Sequence, residues 1–197
     1  MNILVLIGHQ QPGSFCHAIA QTAVEALRAA GHEVVYHDLY EERFDPVLRH
    51  EEIPKSAQLD PVVKKHCEEL LAAGGYVVVH PNWWGQPPAM LKGWIDRVLR
   101  QGVAYEFGAE GTVFGRLKGK SAVVFTTSNT PRDAEQRLFG DPLDNLWKNC
   151  IFGFCGVENV YRRNFEPIIV STLPQRQAWL DEVRSTIAER FPKPSGP

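Results

Sequence analysis

Five short apolar runs alternate with five amphipathic segments, and this alternation constrains the fold of the chain more than any other feature. The apolar runs have hydrophobic residues on both faces, as buried parallel strands require. They predict strands over residues 2–8, 33–38, 76–80, 120–127 and 157–165. Helical spacing predicts helices over residues 15–30, 61–73, 87–101, 142–155 and 174–191.

This order of elements predicts an α/β fold, a doubly wound five-stranded parallel sheet with helices on both faces. We expect the flavodoxin-like strand order 2-1-3-4-5. We interpret residues 103–118 as a loop, while residues 130–141 give no clear assignment. The connection over residues 39–60 is too long for a turn, so it covers part of the molecule or meets a partner subunit. We predict one domain over residues 1–191 and a loose tail over residues 192–197.

Composition and charge exclude several classes of function. The formal net charge of -2 provides no basic surface for nucleic acid. The chain has no apolar run of membrane-spanning length, and we expect a cytoplasmic location by default. The four cysteines are scattered and the seven histidines lack zinc-ligand spacing, so we predict no metal site. We expect core thiols and surface imidazoles, with His9 as the exception.

Three predicted loops leave the carboxyl edge of the sheet, where ligands bind in folds of this type. The first loop, residues 9–15, ends at the N-terminus of a helix with Ser14 in the N-cap position. Free amides and the helix dipole at such an end suit a phosphate group. The loop carries neither the dinucleotide fingerprint nor a Walker sequence.

The second and third loops, residues 81–88 and 126–132, suit a flat ring. Trp83 and Trp84 follow a buried strand, and we expect one to pack while the other lines a pocket. The helix after them should place Trp94 in the core. Small polar residues over 126–129 could donate backbone N–H groups to the edge of a heteroaromatic ring. A phosphate on one side and a ring on the other describe a flavin nucleotide.

The stretch over residues 81–98, Pro-Asn-Trp-Trp-Gly-Gln-Pro-Pro-Ala-Met-Leu-Lys-Gly-Trp-Ile-Asp-Arg-Val, resembles a specific family pattern. The pattern is Pro-x-x-Trp-Trp/Phe-x-x-Pro-Ala-x-Leu-Lys-Gly-Trp-x-Asp/Glu-Arg-Val, that of the flavodoxin-like NAD(P)H:quinone oxidoreductases, which include the potassium-efflux ancillary oxidoreductases. Further matches, which extend the resemblance to most of the chain, are His9 with Ser14-Phe15, Asp38-Leu39-Tyr40, Phe44-Asp45-Pro46 and Gly102-Val103-Ala104-Tyr105.

The resemblance implies one flavin per subunit, FMN or FAD, and ping-pong hydride transfer from NAD(P)H to a quinone or similar acceptor. It also implies a homodimer with both sites at the subunit interface and Tyr105 close to the partner's site. The flavin-binding residues that it implies are His9, Ser14, Phe15, Cys16, Pro81, Asn82, Trp83, Trp84, Thr126, Thr127, Ser128 and Asn129.

The chain departs from the family pattern in three places. Cys16 stands where the family usually has Asn, and Ser128-Asn129 replaces a pair of glycines. The segment 130–140 lacks the Tyr and His that assist hydride transfer in many quinone reductases, and Phe139 falls near the place of the histidine. We therefore assign no catalytic side chain.

Two other functions remain open at this point. A regulatory flavoprotein bound to a membrane partner, such as a potassium-efflux system, would share the same sequence features. A flavodoxin-type electron carrier is disfavoured, because such carriers are usually strongly acidic and this chain has a net charge of only -2.

Overall fold

The computed structural model describes residues 1–193 and contains a central five-stranded sheet. Its strands are β1 Asn2–Ile7, β2 Glu33–Asp38, β3 Gly75–Pro81, β6 Ser121–Thr127 and β7 Asn159–Phe165. A separate two-stranded hairpin consists of β4 Tyr105–Phe107 and β5 Val113–Gly115. The order of the central sheet is β2-β1-β3-β6-β7, and all of its neighbouring strands are parallel.

Helices cover both faces of this sheet. They are α1 Phe15–Ala29, α2 Pro61–Ala72, α3 Ala89–Val98, α4 Arg132–Phe139, α5 Pro142–Asn145 and α6 Leu173–Arg190. A π-helical segment, Leu146–Gly153, continues α5, and short 3₁₀ turns occupy His50–Glu52 and Ala109–Gly111. None of the helices within residues 1–193 has the length and apolar character needed to cross a membrane.

The alternation of side chains along the strands divides the core into two layers. On β1, Leu4 and Leu6 face a cluster that includes α2, α3 and Trp147. Residues on the opposite face of β1, such as Val5, pack against α1 and α6. The predicted α/β sheet with helices on both faces is therefore present.

The predicted strand order 2-1-3-4-5 does not hold as stated, because residues 1–193 contain seven strands rather than five. The two additional strands, β4 and β5, lie within the segment 103–118 that was predicted to be a loop. They pair with each other in antiparallel fashion and stay outside the main sheet. Each is only three residues long, too short to give an alternation that stands out in a sequence rich in glycine.

The segment 142–155 was predicted as one regular helix, and this prediction is wrong in its second half. The chain is π-helical over Leu146–Gly153, so the inward-facing positions no longer follow a spacing of 3.6 residues. A regular helix with Leu143 and Trp147 buried would also turn Cys150 and Phe154 inward, but both are exposed, while Phe152 is buried. A regular apolar spacing in α2 would likewise turn Leu71 inward, but Leu71 is exposed and His66 is buried.

The long connection over residues 39–60 covers α3. Arg97 of α3 donates from Nε to Glu52 Oε2 at 2.8 Å and from Nη2 to Glu52 Oε1 at 2.5 Å. A Cβ atom at Gly93 would clash with the main chain of Pro46, so only glycine permits this close approach. Residues 194–197 of the predicted tail lie outside the described part of the chain.

Residues 130–141, left unassigned from sequence, contain α4, which ends at Phe139 and is followed by Gly140 in the left-handed conformation. The predicted bounds of α1, α2 and α6 differ from the observed ones by about one residue at each end, whereas α3 begins at Ala89 rather than residue 87 and ends at Val98 rather than near Gln101. Helix α4 lies directly after the third loop of the carboxyl edge, so it can contribute side chains to that edge.

Candidate functional site

The three loops predicted to meet at the carboxyl edge of the sheet are in direct contact. The Cys16 thiol at the start of α1 lies 3.3 Å from the Thr127 hydroxyl at the end of β6. The amide N–H of Asn82, just after β3, donates to the carbonyl oxygen of Thr127 at 2.7 Å. Thr127, in the third loop, therefore contacts both the start of α1, directly after the first loop, and the second loop.

The N-terminus of α1 presents amide groups without intrahelical acceptors. Ser14 occupies the predicted N-cap position, and its carbonyl oxygen accepts from the amides of His17 and Ala18 at 3.0 and 3.2 Å. Its hydroxyl does not cap the helix but lies 2.7 Å from His17 Nδ1. Helix geometry leaves the amides of Phe15 and Cys16 without intrahelical acceptors, an arrangement that suits an anion.

A cavity of about 350 Å³ lies beside this helix end. His9, His17 and Asp38 are among its lining residues, together with Tyr40 and Glu41. Burial lowers the pKa of His9, and the nearby His17 lowers it further. His9 Nδ1 accepts a hydrogen bond from the amide of Gln11 at 3.1 Å, which leaves Nε2 as its donor.

The side chains of Phe15 and Cys16 face the interior rather than this cavity. Phe15 packs with its ring centroid 5.9 Å from that of Trp179 and 6.4 Å from that of Phe165. Cys16 is buried, and burial raises the pKa of its thiol to about 12. Both residues can therefore contact a ligand at the helix end through their amides but not through their side chains.

A second cavity, of about 490 Å³, lies between the loop after β3 and the loop after β6. Its lining combines two aromatic side chains, Trp84 and Phe139, with several polar side chains, a mixture that occurs at small-molecule sites. We call it the ring cavity; it is lined by Asn82, Trp84, Gly85, Ser128, Asn129, Thr130, Glu135, Phe139 and Pro142.

The loop after β3 holds both tryptophans at the surface of the single chain. Trp83 and Gln86 exchange reciprocal backbone hydrogen bonds of 3.0 and 2.9 Å, which close a tight turn. Trp84 inside that turn has a φ of 56° and is 98% exposed, and Trp83 is 48% exposed. The expectation that one tryptophan packs in the core is wrong, because the turn carries both side chains outward; Trp84 lines the ring cavity.

Pro81 and Asn82 have supporting roles in the same loop. Pro81 is buried at the end of β3, and its carbonyl oxygen lies 2.8 Å from His80 Nδ1. Asn82 Oδ1 accepts from the amide of Gly85 at 2.9 Å, which fixes the turn that carries Trp84. The Asn82 side chain also lines the ring cavity.

Asn164 on β7 organises the third loop. The Thr126 hydroxyl donates to Asn164 Oδ1 at 2.8 Å, and Asn164 Nδ2 donates to the Ser128 hydroxyl oxygen at 2.9 Å. Asn129 Oδ1 accepts from the amide of Ile169 at 2.9 Å. Thr126 is completely buried, whereas Ser128 and Asn129 line the ring cavity. Of the four predicted residues 126–129, two therefore reach the cavity.

Sequence reasoning missed the contribution of α4 to the ring cavity. Glu135 is buried, and its Oε1 accepts from Asn82 Nδ2 at 3.2 Å. Phe139 lines the cavity from the next turn of the same helix. Because residues four apart share a helix face, a helical assignment of residues 132–139 would have placed these two side chains together.

Four of the seven histidines are buried, so the expectation of surface imidazoles is wrong for His32, His37, His66 and His80. His37 donates or accepts at both ring nitrogens, with Glu42 Oε1 at 2.7 Å and Glu69 Oε2 at 2.8 Å. Burial lowers the pKa of His37, but the two carboxylates together outweigh it, so the pKa is raised. His37 therefore favours the protonated form.

One ligand atom each from His37, Glu42 and His66 lies within 4.8 Å of the others, the kind of cluster that holds metal ions. The hydrogen bonds oppose this use. The Trp94 indole N–H donates to His66 Nδ1 at 3.0 Å, so the remaining nitrogen, Nε2, carries hydrogen and cannot act as a ligand in this tautomer. The cluster is better described as a protonated His37 held between two carboxylates.

The donor groups of the carboxyl edge fit a flavin nucleotide. The uncapped amides at the start of α1 and the Ser14 hydroxyl are the donors that a phosphate requires. The ring cavity offers an aromatic wall at Trp84 and polar groups at Ser128 and Asn129. The contact between Cys16 and Thr127 joins the two parts.

Comparisons with known proteins agree with this architecture. The family whose model matches residues 1–190 is described as having a flavodoxin-like fold. A Haemophilus influenzae protein, named as an uncharacterized NAD(P)H oxidoreductase, is 32% identical over 185 residues, which cover 92% of this chain and 91% of that protein.

Two further matches carry more specific names. NAD(P)H dehydrogenase (quinone) 1 of Rattus norvegicus is 29% identical over 180 residues, and the match covers 79% of this chain but 65% of the rat protein. The solved NAD(P)H:quinone oxidoreductase of Methanothermobacter marburgensis is 26% identical with a TM-score of 0.84, covering 97% of this chain and 98% of that chain. The chain therefore belongs to the flavodoxin-like fold family, as a relative of NAD(P)H oxidoreductases.

Proposed function

We propose that this protein is a flavin-dependent NAD(P)H oxidoreductase that passes hydride from NAD(P)H through the flavin to a quinone or similar acceptor. The observation that carries the proposal is the junction at Thr127. Through its contacts with Cys16 and Asn82, Thr127 connects the N-terminus of α1, whose free amides at Ser14 suit an anion, with the ring cavity beside Trp84. A nucleotide with a phosphate and a flat ring could place its phosphate at the N-terminus of α1 and its ring in the ring cavity.

Different residues contact the phosphate and the ring of the proposed flavin. The amides of Phe15 and Cys16 and the Ser14 hydroxyl hold the phosphate, with His9 beside them. Trp84 supplies a wall for the ring, while Ser128 and Asn129 supply polar contacts at its edge. Buried Thr126 and Pro81 act indirectly, by fixing the loops that carry these groups.

The flavin, FMN or FAD with one per subunit, would supply the hydride chemistry itself. The protein orients it. Glu135 is the one titratable side chain among the described residues that line the ring cavity. Because no tyrosine or histidine stands among them, we propose that positioning and electrostatics, rather than a protein acid, support the transfer.

We also propose a homodimer with the sites at the subunit interface. Large apolar side chains surround the ring cavity and the third loop with little cover from this chain. The exposed fractions are 98% for Trp84, 62% for Phe139, 75% for Ile169, 72% for Val170 and 81% for Leu173. Apolar exposure of this kind marks an interaction surface, and a second subunit would bury it.

The visible absorption spectrum of the purified protein tests flavin binding. We expect flavin bands on isolation, or a saturable spectral change when FMN or FAD is added to flavin-free protein. Riboflavin should bind more weakly, because it lacks the phosphate that the α1 end holds. A protein that shows no bands and binds neither FMN nor FAD would not support the proposed function.

A further inference from the structure

Ser14, His17 and Asp38 form a continuous chain of hydrogen bonds at the end of α1 where the phosphate is proposed to bind. The Ser14 hydroxyl lies 2.7 Å from His17 Nδ1, and His17 Nε2 lies 2.9 Å from Asp38 Oδ2. The Asp38 side chain is 8% exposed and the His17 side chain 20% exposed. The chain of bonds thus runs from the sheet, at the end of β2, to the hydroxyl beside the free amides.

The hydrogen bond to Asp38 determines that Nε2 of the His17 ring carries a hydrogen. Asp38 Oδ1 accepts from the amides of Tyr40 and Glu41 at 3.0 and 3.2 Å, so the carboxylate acts as an acceptor on both oxygens. An acceptor at Oδ2 requires a donor at His17 Nε2, which therefore carries hydrogen. In the bond between Ser14 and His17 Nδ1, by contrast, either the Ser14 hydroxyl or His17 Nδ1 can be the donor.

The Ser14 hydroxyl has a single hydrogen, and two acceptors can compete for it. With a neutral His17, the hydroxyl donates to Nδ1 and has no hydrogen left for an anion. When the hydroxyl donates to a phosphate instead, its oxygen can keep the bond to His17 only if Nδ1 carries a hydrogen of its own. Binding of a phosphate to the Ser14 hydroxyl and protonation of His17 at Nδ1 therefore favour each other.

We propose that His17 is a positioning residue that takes up one proton when the flavin phosphate binds to Ser14. This inference rests on the proposed function. One proton passes from solvent to His17 Nδ1, which then donates to the Ser14 oxygen. The Ser14 hydrogen turns from His17 to a phosphate oxygen, and the negative charge of Asp38 balances the imidazolium.

The groups that face His17 support this assignment. Asp38 comes from the end of β2, Tyr40 and Glu41 come from the turn after it, and His9 comes from the loop after β1. The ring centroid of His9 is 6.0 Å from that of His17. Burial lowers the pKa of His9, so the neighbouring imidazole tends to stay neutral and does not oppose a charge on His17.

Isothermal titration calorimetry at about pH 8, in two buffers with different heats of ionisation, measures the proton uptake. The phosphate of FMN, with a second pKa of about 6, is already a dianion and has no proton to gain on binding at a site of donors. We expect close to one proton taken up per FMN or FAD and none for riboflavin, which has no phosphate.

His17→Gln replaces the imidazole with an amide that cannot take up a proton but can still form a hydrogen bond with Ser14. We expect its proton uptake to fall to near zero and its affinity for FMN at neutral pH to fall about tenfold, the effect of losing a charge-assisted hydrogen bond. Because binding is coupled to proton uptake, the Kd of the wild type for FMN should rise with pH, whereas that of His17→Gln should stay flat. The matched control is His50→Gln; His50 is exposed and lines neither cavity, so this variant should behave as the wild type.

The outcomes separate this inference from the proposed function. Binding of FMN without more proton uptake than riboflavin, or equal uptake by His17→Gln, overturns the role of His17 and leaves flavin binding intact. Failure of the wild type to bind FMN, FAD or riboflavin at any pH overturns both. If His17→Gln does not fold, the comparison of FMN with riboflavin in the wild type decides alone.

Discussion

Trp84 and Trp94 belong to one sequence motif but have opposite environments. Trp84 stands on a tight turn, 98% exposed, at the wall of the ring cavity. Trp94 is 3% exposed in the core, and its indole N–H donates to His66. Helical spacing predicted the place of Trp94, because a repeat of apolar residues reports burial directly. No such repeat exists in a turn, and the outward direction of Trp83 follows from backbone bonds that the sequence does not reveal.

The two tryptophans should therefore respond differently to truncation. We expect Trp84→Ala to weaken flavin binding about tenfold with little change in stability, since it loses ring contacts but no core packing. Trp94→Ala should lower the free energy of unfolding by about 3–5 kcal/mol and leave the flavin affinity of the folded protein nearly unchanged. Flavin titration and urea unfolding of both variants measure this. Equal flavin affinities in the two folded variants would contradict the placement of the ring beside Trp84.

At the scale of elements, a buried histidine ties β2 to α2 and to the turn that follows β2. His37 on β2 bonds to Glu42 in that turn and to Glu69 on α2. The pKa of His37 is raised by these carboxylates, while burial and the charge of His37 lower the pKa of His66 to about 4. Contacts between residues so far apart in sequence depend on how the elements pack, which explains why these histidines were expected at the surface.

The raised pKa makes the contribution of His37 to stability depend on pH. A group whose pKa is higher in the folded state stabilises that state fully below its unfolded pKa, about 6.5 for histidine. The contribution disappears as the pH rises through the folded pKa. We expect His37→Gln to cost about 2 kcal/mol near pH 6 and progressively less at alkaline pH, as measured by urea unfolding across pH. A cost that does not change with pH would show that His37 is not charged.

A second tie between elements is the buried pair of Arg97 and Glu52, which fixes the connection over residues 39–60 onto α3. Both side chains are nearly inaccessible, with 2% and 6% exposed. Removal of one partner leaves an uncompensated buried charge, so Arg97→Met should cost about 3–5 kcal/mol. Arg97→Met combined with Glu52→Leu should recover much of that loss. If the double variant is as unstable as the single one, packing rather than charge explains the role of Arg97.

Elements with strong periodicity were predictable and short or irregular ones were not. The buried run over residues 76–80 and the helix that begins at Pro61 were recognised from their apolar patterns, and Asp60 caps that helix by accepting from the amide of Val62. The hairpin β4–β5 is too short for a period, and the π-helical segment breaks the spacing on which helix assignment depends. The wrong inward face of that segment follows directly from this break.

At the scale of the whole molecule, the topology brings the three predicted loops together. Adjacent parallel strands end at the same edge, so loops after β1, β3 and β6 had to meet once the fold was assigned. The residues supplied by α4, Glu135 and Phe139, could not be placed because their segment had no assignment. The sequence therefore sufficed to locate the edge of the site, but the contribution of α4 to the ring cavity required the structure.

The central claim is that this edge holds a flavin that NAD(P)H reduces. Anaerobic mixing of the flavin-loaded protein with NADH and, separately, NADPH tests it most directly, with the visible flavin absorbance as the readout. We predict complete two-electron bleaching by at least one of the two nucleotides, and return of the absorbance when a quinone is added. A bound flavin whose absorbance neither nucleotide changes would contradict the assignment as an oxidoreductase.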